Sequence, residues 1–412
     1  MKNLKKIFIF PAFLFFFIQT ASSQWQSSGN YSGWVLSFVV TNNVLVAGTY
    51  GSGAYYTSNG TDWTYSVSGM ADPKIISMTF NGNEIYSGSE AGGVYRSTDN
   101  GINWTPVNNG LTSFEIHTLC SNAGNVYAGT NTGVFMTTNN GNNWELISVP
   151  SVGYTIFALT AYNNKIISAS AYGVFITTNS GANWNNITSG TSSYIYTMAN
   201  FNNVVYAGSS AQGVFKTTND GLNWIHLNSG LPGGKAVRGI FCKTEKIYAA
   251  VYNNGGIYYL PSSGSTWIPA NEGLTQLTCL MVIPFNNYIF AGTSSGIFRR
   301  PESELSSIIK ISPQIPDDYR LFNNYPNPFN PATKIKFDIP NPEKGERKTT
   351  NDLVVLKVYD MLGKEIETLV NEKLNPGTYE VTFNGNNLSS AIYFYVLSAG
   401  DFIAKKKMVL LK

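Results

Sequence analysis

Few side chains between Gln24 and Pro301 could do chemistry. The chain has two histidines, His117 and His226, and three cysteines, Cys120, Cys242 and Cys279; this span has four arginines, Arg96, Arg238, Arg299 and Arg300. Two histidines leave no convincing Ser-His-Asp or Cys-His spacing, and no CxxC or HxxxH spacing offers ligands to a metal. No metal and no cofactor is expected. The cysteines are odd in number and lie in apolar runs, so they read as small hydrophobes rather than a disulfide framework. Three carboxylates remain, Asp72, Glu90 and Glu115. A glycosidase needs two carboxyls about 5–9.5 Å apart; such a pair is conceivable here, although solvated surface acids are the plainer expectation. Aromatic rings are the other resource. Trp34, Tyr50, Tyr154, Tyr172, Tyr194 and Tyr252 fall in turn-rich connections, where they could stack on sugars or anchor a protein, or merely pack within their own loops.

The elements that position these residues are internal repeats. Trp63, Trp104, Trp144, Trp184, Trp224 and Trp267 follow one another at 41, 40, 40, 40 and 43 residues. The octets ending at Trp104, Trp144, Trp184 and Trp224 share a pattern of hydroxyl, Thr, Asp or Asn, a polar residue, Gly, any residue, Asn, Trp. Each repeat reads as four short strands with turn residues at every boundary, the size of a propeller blade. Gly53, Gly93, Gly133, Gly173, Gly213, Gly256 and Gly296 each open a third strand, which predicts seven blades. The last copy lacks a Trp strand, and Trp25 to Gly29 at the other end resembles the missing one. The N-terminal strand is therefore expected to close the ring and remove a sheet edge. Loops joining strand four to the next strand one, and strand two to strand three, should crowd one rim with the rings and acids named above. They are expected to span three to six residues, giving a shallow face.

Composition agrees with an all-β protein: 14% aromatic, only 12% charged, and no long stretch of helical period. The formal charge of +3 comes from Lys2, Lys5 and Lys6, since acids and bases balance at ten each over 24–301 and fourteen each over 302–412. A neutral chain has no footprint for a phosphate backbone, so nucleic acid is not an expected partner. Those lysines, the apolar run Ile7 to Ile18 and the small residues after it have the order of a cleaved signal peptide, residues 1–23. No other segment is apolar and long enough to span a membrane.

In the octet the hydroxyl and the Asp or Asn can bond turn backbone, the Gly permits φ > 0, and the Trp fills the wedge between blades. The pattern resembles the Asp-box of sialidases and bacterial-neuraminidase-repeat propellers. There the resemblance implies a structural duty on the face opposite the binding site. Asp99 conforms, while Asn139, Asn179 and Asn219 replace the family's Asp. The arginine cluster and the Phe-Arg-Ile-Pro signature of sialidases are missing. Xyloglucanases of the same repeat class use two propellers and a deep cleft, and photosystem assembly-factor propellers bind proteins without catalysis.

Residues 302–318 shift in composition, with Pro313 and Pro316 after Pro301, and are expected to be a linker. Residues 319–412 resemble the type A C-terminal sorting domain of the type IX secretion system. The matching stretches are Asn324-Tyr-Pro-Asn-Pro-Phe-Asn-Pro331, Val358-Tyr-Asp-Met-Leu-Gly-Lys-Glu365, Pro376-Gly-Thr-Tyr379, Ile392-Tyr-Phe-Tyr395 and Lys406 to Lys412. Ala391 in place of Gly and the insertion Asn341 to Asp352 depart from that pattern. Strands at 334–338, 353–359, 378–383 and 393–397 are expected. The resemblance implies an Ig-like sandwich, recognition by the secretion machinery, and removal by its sortase, leaving cargo that is secreted or held at the outer-membrane surface. The expected product is a seven-bladed propeller, residues 24–301, binding an extracellular glycan or protein without catalysis. A glycoside hydrolase or lyase acting on extracellular polysaccharide is the alternative, and a passive surface-layer protein a third.

Overall fold

The computed structural model describes residues 24–412 apart from 148–154, 193, 244–245, 262–264, 306–307, 313, 342–352 and 386–387. The expected signal peptide and most of the insertion 341–352 lie outside the described residues. The chain is all-β and propeller-like, with one 3-10 turn at Glu302–Leu305 and no α-helix among the described residues. From Gln26 to Pro301 the strands form seven four-stranded antiparallel sheets. The first strands of successive sheets, beginning Val35–Val40, Ile75–Asn81 and Ile116–Asn122, pack side by side. The last first strand, Cys279–Phe285, packs back against Val35–Val40. The ring closes as expected at its outer edge too, because Gln26–Ser27 pairs with Gly296–Pro301, joining the two ends of the propeller.

The octets fold as their residue types dictate. Ser97 Oγ accepts the Gly101 N–H at 2.8 Å, and Asp99 Oδ1 accepts from Ile102 and Asn103. Asn139 and Asn179 accept the matching N–H of Asn143 and Asn183 at 2.9 Å, so Asn serves where Asp was preferred. Asn100 and Gly101 are both left-handed, at φ 59° and 87°, and the glycine carries the second of these turns without strain. Each Trp then straps its sheet to the one before. Trp144 is buried, its N–H donates to the Asn109 carbonyl at 2.8 Å, and its indole donates to the Val107 carbonyl at 2.7 Å. Its ring packs with Tyr86 and Val94 from the sheet before and Phe135 from its own. Trp184 is only partly buried, and its indole N–H has no partner among the described residues.

Loop length is a correction. Fourth strands are two or three residues long, as at Thr105–Pro106, so the connection to Ile116–Asn122 runs over 107–115 rather than three to six residues. The cause is a side chain that takes over the ladder. Asn108 Oδ1 accepts the Val94 N–H at 2.7 Å and its amide donates to the Gly92 carbonyl, releasing the backbone early. Asn228 and Asn271 do the same for Val214 and Ile257.

The C-terminal strands build two further four-stranded sheets around one shared core. Leu353–Tyr359 coincides with its expected strand, and Ala332–Ile339, Gly377–Asn384 and Ala391–Ala399 extend the other three. The stretch expected as a linker is the second correction, because Ile308–Ser312 pairs with Gly377–Asn384 in this region. Its Ile-Ile-Lys-Ile run has strand propensity that the surrounding Ser and Pro masked. The Asn324–Pro331 motif is anchored at both ends. The Asn324 N–H donates to the Tyr395 hydroxyl, and Phe329 is buried against Phe383.

A candidate ligand-binding rim

Every first strand opens on a β-bulge, and this decides what faces the mouth of the propeller. The pairing of Ile116 with Thr130 is followed by that of Thr118 with Gly129, leaving His117 unpaired between them. The same shift leaves Phe157, Tyr196 and Arg238 unpaired in the next three sheets, and Leu280, Leu36 and Ile76 in the other three. A bulge re-aims its extra residue and is common at barrel rims and beside binding sites. One half of the mouth is therefore aromatic and basic, the other aliphatic. Phe157 lies edge-on to His117 at 6.3 Å and to Tyr196 at 6.2 Å, with Tyr194 at 6.4 Å. The Arg238 guanidinium sits 4.0 Å from the Tyr196 ring centroid and 5.3 Å from that of Tyr252.

The rings expected from sequence divide among three situations. Trp34, 42% exposed, lies 6.3 Å from Tyr252, which links it to the Arg238 cluster, and Tyr194, 47% exposed, belongs there too. Tyr172, at 61%, is the most exposed of the set. Tyr50 is engaged elsewhere: its hydroxyl donates to Glu90 at 2.8 Å, and Lys74 sits 5.3 Å over its ring. Tyr154 lies outside the described residues. His117, Phe157, Tyr196 and Arg238 were not foreseen, and the signal that could have found them is the polar or aromatic residue after the Ile or Val that opens a first strand.

Each candidate carboxylate has local partners. Asp72 accepts the Ala91 N–H at 2.7 Å and the Lys74 N–H at 3.1 Å, tying two rim loops together. Glu90 pairs with Lys74 and accepts from Tyr50, and these two hydrogen bonds hold its carboxyl below the usual range. Glu115 accepts from the Asn131 amide and lies 3.5 Å from His117, whose Nε2 is 2.7 Å from Asn131 Oδ1. The cysteines are free, and burial pushes Cys120 and Cys242 up to about 12, far from a thiolate at neutral pH. Among the described residues no three His, Cys, Asp or Glu side chains cluster as metal ligands, and no helix is long and apolar enough to cross a membrane. On the octet face lies a cavity of about 350 Å³, bordered by Phe241, Lys243, Phe285 and Glu302. Burial favours the neutral form of Glu302, but hydrogen bonds from Lys243 and Tyr248 outweigh it and keep the carboxyl low.

Comparison with known proteins places both halves. Residues 323–411 match the secretion system C-terminal sorting domain, and residues 22–152 match the DUF6242 beta propeller domain. No curated protein matches the chain. Among solved structures, PorZ, an essential surface component of the type-IX secretion system of Porphyromonas gingivalis, aligns at 15% identity and TM-score 0.55 over 93% of this chain and 60% of its own. YCF48 from Cyanidioschyzon merolae aligns at 16% identity and TM-score 0.53 over 68% of this chain and 99% of its own. The GH74 xyloglucanase of Xanthomonas campestris aligns at 14% identity and TM-score 0.57 over 84% and 63%. At such identities the likeness is one of fold. The chain is a β-propeller protein ending in a secretion-system C-terminal sorting domain, and is exported by type IX secretion to the cell surface or the extracellular space.

Proposed function

We propose that the exported chain is a non-catalytic binding module, a seven-bladed propeller over residues 24–301 that holds an extracellular glycan or protein on its bulged rim. Residues 1–23 act as the signal peptide, the octets are structural Asp-boxes on the opposite face, and residues 319–412 form an Ig-like domain. The strand Ile308–Ser312 adds to that domain and narrows the junction to 302–307. Trp34, Tyr172, Tyr194 and Tyr252 supply contact surface, with Phe157, Tyr196 and Arg238 between them; Tyr50 and Tyr154 complete the set expected from sequence. The supporting observation is the contrast in how rim residues are engaged. Trp34, Tyr172 and Tyr194 stand exposed, whereas Asp72, Glu90 and Glu115 are each tied to local donors.

A glycoside hydrolase is the competing assignment, favoured by the fold shared with a xyloglucanase. Its acid must hold a proton near neutral pH, and Glu90 is shifted the opposite way. Titration of the full chain against an array of extracellular polysaccharides tests the proposal. Trp34→Ala and Tyr194→Ala should weaken capture by about tenfold each, the range of a true anchor, at unchanged melting temperature. Capture unaffected by either variant would place the ligand elsewhere.

A further inference from the structure

We infer that the mouth carries a carboxylate site centred on Arg238, and that its ligand is a carboxylated saccharide such as a uronate-containing polymer. This rests on the binding rim proposed above and names its ligand class.

Arg238 stands on the bulge between Val237 and Gly239 and is exposed, yet it is not loose. Tyr196 from one sheet and Tyr252 from the next hold its guanidinium at 4.0 and 5.3 Å from their ring centroids. Stacking of this kind orients the planar fork while leaving its N–H edges for an anion, which lowers the entropic cost of binding. Arg238 has no carboxylate partner among the described residues. Lys74, Lys165 and Lys243 each lie against an acid, Glu90, Asp220 and Glu302 respectively. Lys235, on the same sheet's rim, donates to the Asn254 carbonyl at 2.8 Å and adds a second cation to this sector. The three rim acids lie in other sheets, so the mouth has one basic sector although the propeller is neutral overall.

The surroundings favour a sugar over a peptide. A peptide anchor needs an apolar pocket that buries its side chain. The described residues beside Arg238 offer ring faces instead, from Trp34, Tyr194 and Tyr252, with Trp34 6.3 Å from Tyr252. A pyranose uronate presents an apolar C–H face and, at the adjoining carbon, a carboxylate that matches the guanidinium bidentately.

Calorimetric titration of the full chain decides this. The probes are oligogalacturonate, oligoalginate and hyaluronan oligosaccharides, each beside its carboxyl-reduced counterpart, and an acidic hexapeptide. At least one acidic oligosaccharide should bind, and its reduced counterpart should bind about tenfold more weakly, the scale of a charge-assisted hydrogen bond. Arg238→Gln should lose the same factor for the acidic form and leave the reduced form unchanged, while Arg238→Lys should recover only part of it. Acidic and reduced forms bound equally by the wild-type chain would overturn the carboxylate site. If that binding still fell in Trp34→Ala, the rim would stand without it. Binding of the peptide alone would assign the rim to a protein partner. Binding of no probe, with Trp34→Ala and Arg238→Gln both silent on a wider polysaccharide array, would overturn the carboxylate site and the rim together.

Discussion

Trp25→Ala tests ring closure at its most exposed seam. Trp25 lies just ahead of the two-residue strand Gln26–Ser27, which on backbone bonds alone could fray. Its ring is 4% exposed and packs with Tyr248, Ala270, Leu274 and Phe298, and its indole N–H donates to the Ala270 carbonyl. Next to it, Ser28 Oγ donates to the Gly60 carbonyl at 2.7 Å and accepts the Trp63 indole N–H at 3.0 Å, reaching the first sheet. Removing a buried Trp side chain costs about 3–5 kcal/mol, and orphaning its buried partner carbonyl adds roughly 1 kcal/mol or more. For a domain of this size each kcal/mol is about 2–4 °C, so the midpoint should fall by roughly 8–24 °C. Near-ultraviolet circular dichroism with heating, checked by urea titration, reads both quantities. Trp184→Ala is the internal comparison, since its ring is only partly buried and its indole N–H has no partner among the described residues, and it should cost less. A Trp25→Ala midpoint within 2 °C of wild type (a cost under about 1 kcal/mol) would falsify closure by the N-terminal strand.

Acid should loosen the propeller where Asp220 accepts from Tyr162 at 2.8 Å and Lys165 at 2.6 Å. Burial works to raise this carboxyl, but the Lys165 and Tyr162 hydrogen bonds outweigh it and hold the carboxyl low. Its stabilising contribution is therefore present above the ordinary carboxylate range and lost as pH falls through the depressed value; Asp220→Asn should flatten that part of a melting-temperature profile, and an unchanged profile counts against the pairing. Mass spectrometry of the secreted product should find a start near Gln24 and an end between Leu305, which packs into the propeller core, and Ile308, which joins the tail sheet. Secreted protein retaining Lys412 would refute removal of the sorting domain. Asp72→Asn and Glu115→Gln should change no turnover on β-glucan oligosaccharides or sialosides, because none is expected from the wild type; hydrolysis abolished by either variant would establish an enzyme.

Much of the fold was legible because it is local. The octet hydroxyl, Asp or Asn and Gly fold their turn from within eight residues, so their chemistry can be read in order along the chain. Burial repeats with the blade, which made Trp144 and its counterparts recognisable as wedge residues and Trp25 as their missing copy. The tail motifs were equally readable, since Asn324 and Phe329 must meet a fixed core.

Tertiary structure decided the site. A bulge is a mismatch between two strands, so neither strand alone announces that Arg238 or Phe157 turns into the mouth. Tyr196, Arg238 and Tyr252 come from two sheets and Trp34 from a third, and only ring closure brings that tryptophan beside them. Tyr50 had the same residue type and loop position as the other candidates, yet Glu90 and Lys74 drew it into a separate cluster. Asn108 likewise lengthened a loop by replacing backbone in a ladder whose other side is fourteen residues away. Residue type sets what a side chain can do, and the register between strands distant in sequence sets which others it meets.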